Sequence, residues 1–228
     1  LASKLDWKLA LWMLASFHHF TACRWPVTLH EDGSLDAEEL GAFHRLLPDA
    51  QVIRRADADL IMAKRLSAYP RCAAYRRAMP HGLKSFDIPE MSTNDRFLLL
   101  DPDVLFFDTP TEILRWVENP SDRSCWFNRD CQEASPIPPE QARTELGVAL
   151  WPQVNSGLCL LIKEAVTDLK AMEIWLGHPA FQNPAMQWRV EQTLFALAAS
   201  RFGNGGLLPP TYEVSSYRNR QFGCIARN

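Results

Sequence analysis

The chain has 228 residues, enough for one sizeable core, and its 47% hydrophobic and 22% charged content is that of an ordinary globular protein. A formal charge of −3 provides no basic footprint for nucleic acid or an anionic membrane surface. The longest apolar run, "LALWMLASFHHF", falls short of the ~20 residues a membrane span needs, and no signal-peptide layout opens the sequence.

Six cysteines (Cys23, Cys72, Cys125, Cys131, Cys159 and Cys224) are scattered without a CxxC pair. That spacing argues against a zinc ribbon or redox motif and predicts reduced thiols, as in a cytoplasmic protein. Residues 3–20 place Leu5, Leu9, Trp12, Met13 and Phe20 at helical spacing, with Ser3 as N-cap and Asp6 as its capping-box partner. "WPVTLHED" reads as a short strand ended by the turn "EDGS". Residues 36–47 read as an amphipathic helix stopped by Pro48, and "AQVIRR" as a second strand. Helical text runs from 58 to 79 and again around Lys84, and a strand is predicted over Arg96–Leu100. Strands separated by helices predict an α/β domain with a mostly parallel central sheet flanked by helices. The unbroken apolar run Phe97–Leu100 predicts a central strand covered on both faces.

That strand runs into "DPDVLFFDTPTEIL". Asp101 and Asp103 end the strand, where open α/β sheets bind their ligands. Two carboxylates at i and i+2 on extended chain repel each other unless a cation neutralises them. A hard cation, Mn²⁺ or Mg²⁺, takes such oxygens together with phosphate and water. The same two residues also fit a turn, with Asp101 starting it and Asp103 capping.

"FLLLDPDVLFFDTPTEIL" resembles the DxD segment of GT-A type glycosyltransferases, the nucleotide-diphospho-sugar transferases of the glycogenin and galactosyltransferase kind. "PQVNSGLCLLIKEA" and "VEQTLFALAAS" resemble two later segments of that superfamily, in the same order, over roughly residues 3–214. The resemblance implies a single GT-A-like domain over 1–228 that transfers a sugar from a nucleotide-sugar donor to an acceptor the sequence does not name. By the same resemblance Asp101 and Asp103 hold the cation on the diphosphate, and Asn155 and Gly157 flank the sugar. Lys84 reaches phosphate, Asp130 faces the sugar, and Glu191 and Gln192 lie near the reacting carbon or the acceptor hydroxyl, with Glu191 as the base if the reaction inverts and Gln192 on the reacting face if it retains.

Each assignment has a plainer structural counterpart. Asn155 and Gly157 also make a turn, Glu191 also suits a helix first turn, Lys84 also suits a solvated surface, and Asp130 also caps a loop. His18 and His19 sit at a helix edge, and His30 ends a strand. Two departures from the resembled pattern stand out. The sequence begins at the first helix, so the first strand of that fold is expected to be missing and its two neighbours to carry unpaired edges. The histidine that supplies a third metal ligand near the C-terminus of several relatives is absent, the last one here being His178. Residues 121–152, rich in proline and polar side chains, are expected to form a loop over the cleft. Two other functions remain open from the residues: a phosphatase of the haloacid dehalogenase type, with aspartate as nucleophile, and a glycosyltransferase-like domain that binds without catalysis.

Overall fold

The computed structural model describes residues 1–214 and the two-residue strand at 224–225. In chain order the elements are α1 (Trp7–Thr21), β1 (Thr28–His30), α2 (Ala37–Leu46), β2 (Gln51–Ile53), α3 (Arg55–Arg65), α4 (Pro70–Ala78) and α5 (Pro80–Met91). There follow β3 (Arg96–Leu100), β4 (Leu105–Phe106), α6 (Thr111–Glu118), β5 (Cys125–Arg129), α7 (Pro139–Glu145), β6 (Val154–Ile162), α8 (Lys163–Val166) and α9 (Leu169–Leu176). Two 3-10 turns, α10 (Gln187–Phe202), β7 (Gly205–Leu207) and β8 (Cys224–Ile225) complete the list.

Local chemistry sets several of these boundaries. Asp36 accepts the amides of Glu38 and Glu39, while Glu39 reaches back to the Asp36 amide, a full capping box that starts α2. At α1 only half of the expected box forms: the Asp6 carboxylate accepts the Ser3 amide at 2.6 Å, and the helix starts at Trp7. The predicted stripe on α1 is buried only in part: Met13 is in the core and Phe20 packs against it, while Leu5, Leu9 and Trp12 face outward. Leu5 is 97% and Trp12 69% exposed, whereas Ala10, Met13, Leu14 and Phe17 are buried. The helix is apolar nearly all round, so periodicity alone leaves two candidate faces. Packing selects the one that meets β4, where Phe17 stacks on Phe106 at 5.0 Å between ring centroids.

The largest sheet has the order β3-β6-β5-β7. β6 runs antiparallel to both β3 and β5, while β5 and β7 are parallel, so this sheet is mixed, not mostly parallel. β1 and β2 form a separate parallel pair. The central, doubly covered strand is β6, whose Leu158–Ile162 stretch is fully buried. Among the described residues β3, expected to be central, pairs with β6 alone, and β1 pairs with β2 and, at its other edge, carries a parallel bridge between Ala2 and Glu31. Residues 121–152 are not one loop: they contain β5, in the interior of the sheet, and α7.

Helices α5 and α10 pack on one another, and α10 also packs on β6. α10 is buried from Val190 to Ala199 on every side. α5 is fixed to α4 by a bidentate pair, Arg76 Nε to Asp87 Oδ1 at 2.6 Å and Nη2 to Oδ2 at 2.7 Å. At Gly82 the two helices touch backbone to backbone, since an added Cβ would lie 2.6 Å from the Arg76 Cα. These contacts aim the middle of α5 at the end of β3. No helix among the described residues is long and apolar enough to cross a membrane.

Candidate active site

β3 ends at Leu100, and Asp101 bonds across to β6 through its amide, 2.7 Å from the Gly157 carbonyl. The Val104 amide then returns to the Asp101 carbonyl at 3.2 Å, closing the turn that carries Pro102 and Asp103. The turn and the site are therefore the same residues, and the two readings of the motif do not compete.

Side chains alternate along β6, so Asn155 and Gly157 share a face and Ser156 takes the other. Ser156 is buried on the side of α5 and α10. There the Lys84 ammonium, 5% exposed, lies 2.8 Å from Asp101 Oδ1, 3.2 Å from Ser156 Oγ and 3.3 Å from Glu191 Oε1. Ser156 donates to Glu191 Oε2 at 2.9 Å. On the other face the Asn155 amide nitrogen donates to Asp130 at 3.2 Å, and its oxygen accepts the Gly157 amide at 2.8 Å. A Cβ on Gly157 would stand 3.0 Å from that Asn155 oxygen and 3.7 Å from Asp101 Oδ2, so glycine leaves the floor open beside the carboxylate.

One connected set thus joins Asp130, Asn155, Gly157, Asp101, Lys84 and Glu191, all selected from the sequence. Lys84 is not a solvated surface charge; it is buried and paired. Asp103 stands at the open side, exposed and without a side-chain partner among the other described residues. Gln192 does not join the set. Its amide donates to the Ala134 carbonyl at 2.8 Å, which fastens the segment after β5 to α10. Neighbours on a helix point about 100° apart, so Glu191 and Gln192 cannot face one spot. Glu191 itself is sealed, with 3% of its side chain exposed. Ser156 was missed because a serine between two selected residues carries no motif. His81 was missed too, although one helical turn before Lys84 is where a companion would lie. Its imidazole is lowered by desolvation and by the Lys84 charge, against the pull of Asp101. His178 is elsewhere, bonded to Glu145 at 2.7 Å.

The charges explain one another. Burial works to neutralise Lys84, but the Asp101 and Glu191 carboxylates outweigh it and hold its pKa above the ordinary value. Burial raises Glu191 to about 7, helped by the Asp101 charge and opposed by Lys84 and Ser156. Desolvation, and then the Asp101 charge, raise Asp103. A divalent cation between Asp101 and Asp103 would relieve that repulsion, and the donor set of hard carboxylate oxygens suits Mg²⁺ or Mn²⁺ completed by phosphate and water. Among the described residues no group of three or more His, Cys, Asp or Glu side chains converges on a metal position. The C-terminal region for which the sequence resemblance implies a third ligand lies largely outside the described residues.

No protein-family model matches the sequence, and no curated protein matches it either. Solved structures do resemble it. Mouse xyloside xylosyltransferase 1 superposes with a TM-score of 0.51 at 16% identity, over 93% of this chain and 84% of that one. A galactosyltransferase, LgtC, superposes at 0.47 with 15% identity, over 92% and 72% of the two chains. Identity this low establishes the fold: a GT-A-like α/β domain.

Proposed function

We propose that this chain is a metal-dependent glycosyltransferase that takes a sugar from a nucleotide-diphosphate donor. The observation that carries this reading is the set of residues at the end of β3: Asp101 and Asp103 on the turn, Gly157 and Asn155 beside them, and Lys84 beneath. Asp101 and Asp103 would hold the cation, which when bound supplies neutralising charge to the diphosphate leaving group. Around it the chain's own groups orient and exclude. Lys84 fixes the rotamer of Asp101, and Ser156 with Glu191 fixes Lys84. Gly157 lets the donor approach the β6 backbone, and Asn155, held by Asp130, offers its remaining amide hydrogen to a hydroxyl. We assign Glu191 to balancing the Lys84 charge, because its burial keeps it from an acceptor. A binding-only domain and a phosphatase would share the carboxylates but not the full pattern of behaviour.

Titration calorimetry with a panel of nucleotide-sugars, with and without Mn²⁺, tests the reading. A transferase binds one donor in a cation-dependent manner, and Asp103→Asn abolishes that binding while leaving the melting temperature unchanged. Donor affinity that ignores both the cation and the substitution removes the metal role. Hydrolysis of a generic aryl phosphate without donor binding replaces the reading with the phosphatase.

A further inference from the structure

Beside the candidate site one buried carboxamide has nothing to bond. Asn128 is 2% exposed, and its side chain makes no hydrogen bond to another described residue. Its Oδ1 is sealed from solvent without a partner, whereas its Nδ2 is not sealed. Buried polar groups are ordinarily paired, because a donor or acceptor left unmet away from water costs stability.

The β5-β6 ladder fixes where this side chain lies. Phe127 pairs with Cys159 and the next residue, Asn128, pairs with Asn155, so Ser156, Gly157 and Leu158 bulge out of the ladder next to Asn128. Residues directly opposite on antiparallel strands put their side chains on one face, with Cβ atoms about 5 Å apart. Asn128 therefore shares a face with Asn155, and Asp130, two residues along, shares it too. The hydrogen bond from Asn155 to Asp130 runs across that face. Gly157 lies on it as well, with Asp101 Oδ2 3.7 Å from the place a Cβ would take.

The neighbouring polar side chains are engaged. Asp130 accepts the Asn155 amide through Oδ2 and the Gln132 amide, at 3.3 Å, through Oδ1. Asn155 Oδ1 accepts the Gly157 amide. Among these three side chains the largest unused hydrogen-bonding capacity is that of Asn128. Glu191 is a different case: it lies on the α10 side of the sheet, where its oxygens already meet Lys84 and Ser156.

We propose that Asn128 reads a hydroxyl of the transferred sugar and is a specificity-determining residue of the donor site. The inference rests on the chain being a sugar-nucleotide transferase. A carboxamide both donates and accepts, and so does a hydroxyl, so the fit is to a ring carbon bearing –OH and not to one bearing –H. A deoxy sugar would leave the amide buried and unmet, which penalises it beyond the contact it fails to make.

Calorimetric titration in Mn²⁺ tests the assignment, with UDP-xylose, UDP-galactose, UDP-glucose and GDP-mannose as probes and free UDP and GDP as the sugarless controls. Asn128→Leu keeps a similar volume and removes both polar atoms. It is expected to weaken the sugar nucleotide that binds the unsubstituted chain by at least ~tenfold, and to leave the free diphosphate within about twofold. The melting temperature should hold or rise, because no described residue loses a partner. One monodeoxy analogue of the bound sugar should lose at least ~tenfold on the unsubstituted chain and bind Asn128→Leu as well as its parent does. Where the leucine variant does not fold, Asn128→Ser answers the same questions. Unchanged affinity for the sugar nucleotide, or equal weakening of the sugar nucleotide and the free diphosphate, overturns the proposal. A lower melting temperature with unchanged sugar selectivity is the mark of an internal water on the amide, and overturns it too. Failure of every sugar nucleotide to bind the unsubstituted chain in a cation-dependent manner removes the transferase reading and the proposal together, whereas cation-dependent binding that ignores Asn128 removes the proposal alone.

Discussion

Replacing Lys84 with methionine keeps the length of the side chain and removes a buried ammonium from between two carboxylates. The ammonium lies within 3.3 Å of oxygens from Asp101, Ser156 and Glu191, at 5% exposure. Stripping one partner from a buried ion pair costs about 3–5 kcal/mol, because the other charge is left without compensation. Two features place this site near the lower figure. Asp101 is 31% exposed and gains water, and Glu191, already raised to about 7, escapes by taking a proton. We therefore expect Lys84→Met to lower the unfolding free energy by about 3 kcal/mol, read from urea denaturation with an unchanged slope. Adding Glu191→Gln should recover at least half of the loss, since the sealed carboxylate is then gone. A single-variant cost below ~1 kcal/mol, or a double variant in which the two costs simply add, would refute the charge-balance argument.

The pH dependence follows from the same group. Glu191 is raised from 4.5 to about 7 on folding, so the folded chain holds that proton more tightly than the unfolded one. Its contribution is complete below about pH 4.5 and declines by about 3 kcal/mol as pH climbs through 7. Glu191→Gln should flatten that decline in stability curves; an unchanged slope would assign it to other groups. At Gly205, φ is +121° and a Cβ would fall 1.7 Å from the Cys125 carbonyl oxygen. Gly205→Ala should cost at least ~3 kcal/mol in chemical denaturation, by pushing β7 off β5, and a neutral result would contradict the close pairing. Asp103→Asn should change stability by no more than ~0.5 kcal/mol, because no other described residue bonds that exposed carboxylate. A larger loss in thermal melting would give Asp103 a purely structural job.

Residues 96–101 were the most legible part of the sequence. An unbroken apolar run and a following proline turn give β3 its observed limits, Arg96–Leu100, and place Asp101 at the strand end. The pattern did not reveal the direction or neighbours of that strand. A both-sides-apolar run is compatible with parallel and antiparallel pairing alike, and β6, the interior strand it pairs with, is antiparallel to it. β5 was hidden because its five residues stand between proline-rich and polar text, where composition points to a loop. In the site, residue types with obvious chemistry were found and the links between them were not. Ser156, which connects Lys84 to Glu191, has no signature of its own. The divergent aims of Glu191 and Gln192 follow from helical geometry, but only once the helix is known to be buried on all sides.

The bond between Arg76 and Asp87 has a mechanical consequence. With the guanidinium gripping both carboxylate oxygens and Gly82 letting main chains abut, α4 and α5 move as one bar. Any shift of the main chain that carries Lys84 must move that whole bar along, against the packing of α10 behind it. The root of the lysine is therefore anchored by scaffold, and its tip by the oxygens of Asp101, Ser156 and Glu191.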